Sequence, residues 1–320
     1  MKMKKLFSGI VCLCACFAVP AAWGASRNLL LNPDFAGSAP GKAPQNWRYQ
    51  GADVKYEVVD NGSGGFAMRL SSGKKARGFV VQNRLPVKNG GTYIIGVRFR
   101  GTPGARVWYY IERNSPHWSG CLRLTCKEEW QVAWQKVKIP ERGSAPYAAM
   151  VLMDGNGWCE FTDPQVIELA EPTDGNLLTN ADFSVTAELG GKTVPALWNA
   201  LNGADIELLP HENGKLARLK CIGNRSHFTQ WALPVAKGKA YRLSIKYRGT
   251  PGAKMLFGVE RGKPRWKLLR KVSGAPEWQD SSVRFTVPTR DGGLPYAVFA
   301  VDPGEGYIEI ADLKLLPEKQ

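Results

Sequence analysis

Residues 93–105 read YIIGVRFRGTPGA, and residues 241–253, 148 positions later, read YRLSIKYRGTPGA. In the first stretch, Tyr93, Ile95, Val97 and Phe99 alternate with the residues between them, and the second stretch keeps this alternation. Such a pattern is typical of a strand with one face on a core and the other in water. The identical Arg-Gly-Thr-Pro-Gly-Ala segment that follows predicts a turn. A strand and turn that recur at this distance predict two copies of one domain.

Further matches at the same spacing extend the repeat over most of the chain. Residues 28–35 read NLLLNPDF and residues 176–183 read NLLTNADF, while Leu-Pro-Val at 85–87 and Glu-Trp-Gln at 129–131 recur at 233–235 and 277–279. We therefore expect two domains, at residues 26–171 and 176–317, joined near residues 171–175. Many short strands separated by glycine-rich turns predict an all-β fold, with each copy a two-sheet sandwich of the jelly-roll type.

Composition excludes several classes of protein. The 320 residues include 35 Gly and 21 Pro, which is too many helix breakers for a helical bundle, and the 44 % hydrophobic fraction is too high for a disordered chain. Three histidines leave little room for a His-rich metal centre. The formal charge of +15 is compatible with nucleic-acid binding. No recognition motif supports such a partner, and the export inferred below argues against it.

The first 25 residues predict a secretory signal peptide. Three lysines precede an apolar run from Leu6 to Ala22 and a small-residue site at Ala22-Trp23-Gly24. The run is too short for a membrane span, and no later stretch reaches 18 apolar residues. We expect a secreted, periplasmic or cell-surface protein, associated in the last case with the cell envelope, whose charge falls to +12 when those lysines are removed. An alternative is lipoprotein processing at Cys16, because residues 13–16 resemble a lipobox.

Four cysteines follow the signal peptide, at positions 121, 126, 159 and 221. In an exported protein, Cys121 and Cys126 are a candidate disulfide across four intervening residues. The alternative is that all four are buried thiols, which act as small apolar side chains in strands.

Several short patterns, present in both copies, resemble carbohydrate-binding modules of the family 4/9 type. They are the opening Asn-Leu-Leu-x-Asn-x-x-Phe, a Pro-x-x-Trp at 44–47 and 195–198, a Gln before Leu-Pro-Val, and a closing strand with Asp163 or Asp312. The resemblance implies a galactose-binding-like jelly roll that binds poly- or oligosaccharide without catalysis, and often a structural calcium near the chain ends. This family usually has Glu after the opening Phe, whereas Ala36 and Ser184 stand there. Asp163 and Asp312 remain the calcium candidates, and no other cofactor is expected.

Sugar rings present C–H faces that stack on exposed aromatic rings, so we searched the outward positions of the strands. Alternation over residues 105–112 points Arg106, Trp108, Tyr110 and Glu112 outward, while the second copy has Lys254, Leu256, Gly258 and Glu260 there. We expect the first copy to carry the main site. Further candidates are Trp134 on an outward position, Trp118 and its counterpart Trp266 on a following loop, and Trp231, which aligns with Asn83. The alternative is that the second domain or a loop covers these rings.

Arg98 and Arg100 also occupy outward positions. A basic strand face can pair with uronate or sulfate groups, because arginine binds such anions in a bidentate manner. The alternative is a solvated face. An acidic polysaccharide is an expected partner only if this face binds anions rather than staying solvated.

Catalysis is not indicated by any motif. Gly-x-Ser-x-Gly, P-loop and HExxH patterns are absent from the sequence. A glycosidase needs two suitably spaced carboxylates, which the sequence does not single out. A jelly-roll lyase or glycoside hydrolase and a cell-surface protein-interaction module stay as alternatives to a non-catalytic binding protein.

Overall fold

The computed structural model describes residues 28–38, 42–51, 53–169, 174–189, 192–201, 204–212, 214–221, 225–304 and 306–318. The expected signal peptide, the Cys16 site and linker residues 170–173 lie outside these ranges. Every named element within them is a β-strand, and the sheets are antiparallel, so the prediction of an all-β fold is confirmed. Within the same ranges, no helix is long and apolar enough to span a membrane.

The first copy contains eight strands in two layers. They are β1 (Arg48–Gln50), β2 (Lys55–Asp60), β3 (Phe66–Gln82), β4 (Thr92–Gly101), β5 (Arg106–Arg113), β6 (Trp118–Thr125), β7 (Gln131–Lys138) and β8 (Tyr147–Glu168). The long strands β3 and β8 pass through both layers. We call the layer in the order β1-β3-β8-β5-β6 the front sheet, and the layer in the order β2-β3-β8-β4-β7 the back sheet.

The second copy repeats this arrangement after a hairpin of β9 (Thr186–Leu189) and β10 (Lys192–Pro195). Its front sheet has the order β11-β14-β19-β16-β17, and its back sheet has the order β12-β13-β20-β15-β18. The strands are β11 (Asn199–Leu201), β12 (Ala204–His211), β13 (Gly214–Cys221), β14 (Ser226–Gln230), β15 (Ala240–Gly249), β16 (Lys254–Arg261), β17 (Trp266–Ser273), β18 (Gln279–Thr286), β19 (Tyr296–Val301) and β20 (Ile308–Pro317).

Each copy has its own apolar core between its two sheets. In the first copy the core takes the alternate residues Tyr93, Ile95, Val97 and Phe99 of β4. In the second it takes Tyr241, Leu243, Ile245 and Tyr247 of β15. The period-two pattern of these strands therefore decides which side chains enter the cores.

A smaller apolar cluster joins the two copies. Ile94 and Ile167, on the outer side of the first copy's back sheet, pack with Val185 and Ala196 of the second copy. Trp134 lies against this cluster. Burying a side chain such as isoleucine stabilises by about 1.5–3 kcal/mol, so the cluster favours a docked arrangement of the copies.

The disulfide predicted between Cys121 and Cys126 is wrong, because the structure places both cysteines as free thiols. Cys121 contacts the apolar cluster on the outer side of the front sheet, whereas Cys126 is buried in the core. The segment between them is extended strand β6 rather than a closed loop, and residues an odd number apart on a strand point to opposite faces. Cys159 and Cys221 are also free and buried.

Candidate functional site

The outward side chains of the first copy's front sheet form a surface that we call the front face. Strand register sets Trp108 beside Val151 and Arg123, Tyr110 beside Ala149 and Cys121, and Glu112 beside Tyr147 and Ser119. The same rows continue through Phe79 and Val81 to Gln50 and Arg48. Trp108, Tyr110 and Glu112 thus share one face, with Arg106 one step further along β5.

Apolar side chains form the floor of the front face. Val81, Ala149, Val151 and Tyr110 are buried there, and the half-buried rings of Trp108 and Phe79 pack against them. Tyr110 points to the expected side, but it is only 5 % exposed and its ring meets that of Tyr147 edge-on at 6.2 Å. Its burial raises the pKa of the hydroxyl to about 12. The expectation that Tyr110 is an open platform is therefore wrong. It supports the floor, and Trp108 is the β5 ring that remains partly accessible.

Polar groups gather where β5 ends. The Tyr147 hydroxyl donates a hydrogen bond of 2.8 Å to Glu112 Oε1, and His117 Nδ1 lies 4.0 Å from the same oxygen. Beyond Tyr147 is a pocket of about 750 Å³, whose lining includes Asn46, Arg48, Asn83, Arg84 and Asn114. Amide and guanidinium groups supply the donors and acceptors that hydroxyl groups need. An apolar ring and a polar pocket thus lie on the same sheet.

Exposed arginines surround Trp108. The guanidinium groups of Arg123 and Arg77 lie over the indole ring, 5.1 and 5.6 Å from its centroid, so a sugar that stacks there must displace one of them. Arg48 and Arg106 are also exposed on this face. Among the side chains of the front face that the structure describes, Glu112 is the one carboxylate. The face is therefore positively charged around its accessible ring.

Three residues of the front face were not identified from the sequence, namely Arg77, Arg123 and Tyr147. Extending the alternating pattern along β6 would have placed Arg123 on the same face as Trp108. The recurrence of Tyr147 as Tyr296, 149 positions later, was a further signal.

Arg98 and Arg100 lie on the other sheet and are not presented to solvent as expected. Arg100 Nε donates a 2.6 Å hydrogen bond to Glu160, which is fully buried and is also held by Arg69. Arg98 is only 6 % exposed, and its guanidinium lies 4.6 Å from the ring centroid of Trp130. The prediction that these two arginines form an open anion-binding face is wrong, because on the outer side of the back sheet Arg98 is buried against Trp130 and Arg100 is paired with Glu160.

Trp118 and Trp266 do not form a rim around the site. Trp118 lies opposite Arg113 in the strand register, and Trp266 lies opposite Arg261, at positions that face the cores. Both rings pack against those cores. The expected loop is in fact the start of β6 in the first copy and of β17 in the second. Trp118 therefore lies on the opposite side of the front sheet from Trp108, and Trp266 likewise faces the core of its own copy.

The two remaining tryptophan candidates lie where the copies meet. Trp134 is on the first copy's back sheet, where the second copy packs beside it, so the alternative that the second domain covers the ring applies to it in part and the ring stays half-buried. Trp231 follows β14 in the second copy, is 51 % exposed, and stacks on Tyr296 at a centroid distance of 4.4 Å. Neither ring is brought to Trp108.

The second copy's front face keeps the polar pair and lacks the platform. The Tyr296 hydroxyl donates a 2.8 Å hydrogen bond to Glu260, as Tyr147 does to Glu112. Leu256 and Gly258 occupy the positions of Trp108 and Tyr110 in the sheet. The two front faces therefore differ mainly in their apolar surface.

The residues around Asp312 do not fit the calcium that the family resemblance implies. Asp312 forms a cluster with His211 and Glu212, but Lys246 Nζ lies 3.2 Å from its carboxylate. The hydrogen bond to Asp312 raises the pKa of Lys246 and keeps it charged. Calcium takes six to eight oxygen ligands, whereas this cluster offers a histidine nitrogen and already holds an ammonium. Within the described residues, no comparable cluster surrounds Asp163.

No protein-family model matches the chain, and a search of curated proteins finds no match. Among solved structures, the tandem CBM22-1–CBM22-2 domains of Paenibacillus barcinonensis Xyn10C cover 94 % of this chain and 100 % of their own, at 14 % identity and a TM-score of 0.37. TmCBM61 in complex with beta-1,4-galactotriose covers 45 % of this chain and 100 % of its own, at 22 % identity and a TM-score of 0.35. The enzymatically active domain of bacteriophage CBA120 tailspike protein 4 covers 44 % of this chain and 21 % of its own, at 12 % identity and a TM-score of 0.37.

Most of the similar structures are carbohydrate-binding modules, of families 22, 16, 61 and 4. The family 4/9 type that the sequence resembles is not singled out among them. At these TM-scores the likenesses carry no argument about the ligand of this chain.

Proposed function

We propose that this protein is an exported, non-catalytic carbohydrate-binding protein of the family 4/9 type, which binds an acidic poly- or oligosaccharide on the front face of its first copy. The observation that supports this most strongly is that the partly exposed Trp108 ring, exposed arginines and a polar pocket lie on the same sheet. An indole ring buries the C–H face of a sugar. The amides of the pocket then pair with hydroxyls that would otherwise lose their hydrogen bonds to water.

The arginines favour an acidic sugar. A guanidinium group forms two parallel hydrogen bonds to a carboxylate or sulfate, so Arg77 or Arg123 can hold the charged group of the sugar that stacks on Trp108. Exposed charges are screened by salt, with a Debye length of about 8 Å at physiological ionic strength. Binding through these groups should therefore weaken as salt is added.

The proposal of a non-catalytic role is supported by the carboxylates of the front face. Inverting and retaining glycosidases use a pair of carboxylates about 5–9.5 Å apart. Glu112 is the single described carboxylate of this face, and it already accepts a hydrogen bond from Tyr147.

The test is calorimetric titration of the mature protein with cellohexaose, xylohexaose and hexagalacturonic acid, at low and high salt. Trp108→Ala should weaken binding about ten- to sixtyfold, because about 60–100 Å² of lost apolar contact corresponds to about 1.5–2.5 kcal/mol. Phe66→Ala is the matched control, since Phe66 is 42 % exposed at the start of β3, outside the front face. Circular dichroism verifies that each variant is folded.

Three results would contradict parts of the proposal. An unchanged dissociation constant for folded Trp108→Ala removes the front face from binding. Equal affinity for neutral and acidic hexamers at every salt concentration removes the role of the arginines. New reducing ends or unsaturated products after incubation would instead identify a hydrolase or lyase.

A further inference from the structure

A groove of about 650 Å³ lies between the two copies, apart from the front face. Trp134, Gln135 and Lys136 of β7 line one side, and Thr179, Asn199 and Trp231 of the second copy line the other. An adjoining pocket of about 330 Å³ also contacts Trp134 and Asn199, so the open space continues along the junction. Small-molecule sites are commonly clefts of about 300–1,000 Å³ at domain junctions.

Trp134 is held flat on one wall of this groove. It lies opposite Gly96 in the strand register, and a Cβ atom at Gly96 would come within 2.0 Å of its ring. The glycine thus lets the indole lie directly on the backbone of β4. The second copy has the pair Ser244 and Ser282 at these positions, so this ring is specific to the side of the first copy that meets the second.

Trp231 is held on the opposite wall. Ala232 has a left-handed backbone with φ of 58°, and Arg84 has φ of 59° at the same point of the first copy, so both chains turn alike there. The residue before the turn is Asn83 in the first copy and Trp231 in the second. Trp231 stacks on Tyr296, which is itself fixed by Glu260, and still leaves 51 % of its surface accessible. A ring fixed in this way loses little entropy when a ligand stacks on it.

Polar groups between the rings suit a hydroxylated ligand. The polar residues Gln135, Lys136, Thr179 and Asn199 all line the groove. Gln230 braces the floor, because its side-chain amide accepts a hydrogen bond from Thr179 N and donates one to Thr179 O, at 2.9 and 2.6 Å. The apolar cluster of Ile94 and Ile167 joins the copies without filling this space.

We propose that this groove is a second glycan subsite, which binds a pyranose unit of the same polysaccharide over Trp231 and against Trp134. The inference rests on the proposed function, since it assigns the same ligand class to a second place. Two sites on one chain raise the affinity for a polymer that reaches both, while a short oligosaccharide occupies each site separately. The groove therefore affects polymer binding more strongly than hexamer binding.

The experiment uses Trp231→Asn, which installs the residue of the first copy, together with Trp108→Ala and the double variant. Titrations with the three hexamers and with β-glucan, xylan and polygalacturonate give stoichiometry and affinity. Each single variant should lose one of two hexamer sites and bind the polymer about tenfold or more weakly, and the double variant should bind neither. Phe66→Ala should match the wild-type chain.

The outcomes separate the two proposals. If Trp231→Asn leaves hexamer stoichiometry and polymer affinity unchanged while Trp108→Ala weakens binding, the groove assignment is overturned and the proposed function stands. If only Trp231→Asn weakens binding, the groove is a site and the front face is not. If the wild-type chain binds none of the six probes, both are overturned.

Discussion

Gly96→Ala tests the packing that joins the two copies. A Cβ atom at this position would lie 2.0 and 2.1 Å from Cε3 and Cζ3 of Trp134, whereas carbon atoms in contact are separated by about 3.5–4.0 Å. The indole would have to move away from β4 by about 1.5 Å, towards the cluster that contains Val185 and Ala196 of the second copy. The added methyl group therefore disturbs the junction of the copies as well as the first copy.

The expected cost combines two opposing effects. Overpacking of this kind destabilises by about 1–3 kcal/mol. Alanine is favoured over glycine within a strand by about 0.5–1 kcal/mol, which offsets part of that cost. We expect Gly96→Ala to lower the free energy of unfolding by about 1–2 kcal/mol. In a Trp134→Ala background the clash is absent, so the same change should be neutral or should stabilise by up to about 1 kcal/mol.

Urea unfolding of the four proteins of this double-mutant cycle, followed by far-UV circular dichroism, measures the coupling free energy. Gly262→Ala is the control, because no described atom lies within 4 Å of its added Cβ and its φ is not left-handed. A coupling between Gly96→Ala and Trp134→Ala below about 0.5 kcal/mol would refute the contact, since distant sites add within that limit.

Two further predictions concern buried groups. Burial alone would raise the pKa of Glu309, but hydrogen bonds from Arg248 and Arg218 outweigh it and hold the pKa below its usual range. The carboxylate therefore stabilises the fold above its unfolded pKa of about 4.3, and this stability is lost as pH falls through the folded pKa. Glu309→Gln should lower the free energy of unfolding by about 3 kcal/mol at pH 7 and by less in acid, as measured by chemical unfolding. An equal loss of unfolding free energy at all pH values would contradict the pairing of Glu309 with Arg248 and Arg218. Burial also raises the pKa of Cys126 to about 12, so this thiol should react slowly with a thiol reagent at pH 8 in the native protein. The four cysteines at 121, 126, 159 and 221 should all react after unfolding without reductant, and fewer than four would indicate a disulfide.

Alternation along single strands predicted which side chains leave the core, but not which outer surface they reach. A sandwich has two outer faces, and Trp108 lies on one while Trp134 and Arg98 lie on the other. The order of strands within each sheet separates these faces, and that order depends on pairing between residues far apart in sequence. Local periodicity therefore grouped residues of two surfaces into one candidate site.

Short spacings misled where they were assigned to loops. Trp118 was predicted on a loop and Cys121 was predicted to bond to Cys126, whereas β6 begins at Trp118 and runs through Thr125. Once this segment is a strand paired with β5, its register places Trp118 against the core and separates the two cysteines. The strand forms because β5 offers it a partner, and an eight-residue segment does not carry that information by itself.

The repeat makes the functional differences between the copies interpretable, because the backbone is held constant while the side chains change. The left-handed residues Arg84 and Ala232 recur, as do Asp163 and Asp312, which share a φ of 49°. On that common frame the second copy has Leu256 where the first has Trp108, and Trp231 where the first has Asn83. Trp231 is exposed and stacks on Tyr296. The proposed division of binding between the front face and the groove therefore predicts that replacing either ring weakens polymer binding while the other site is kept.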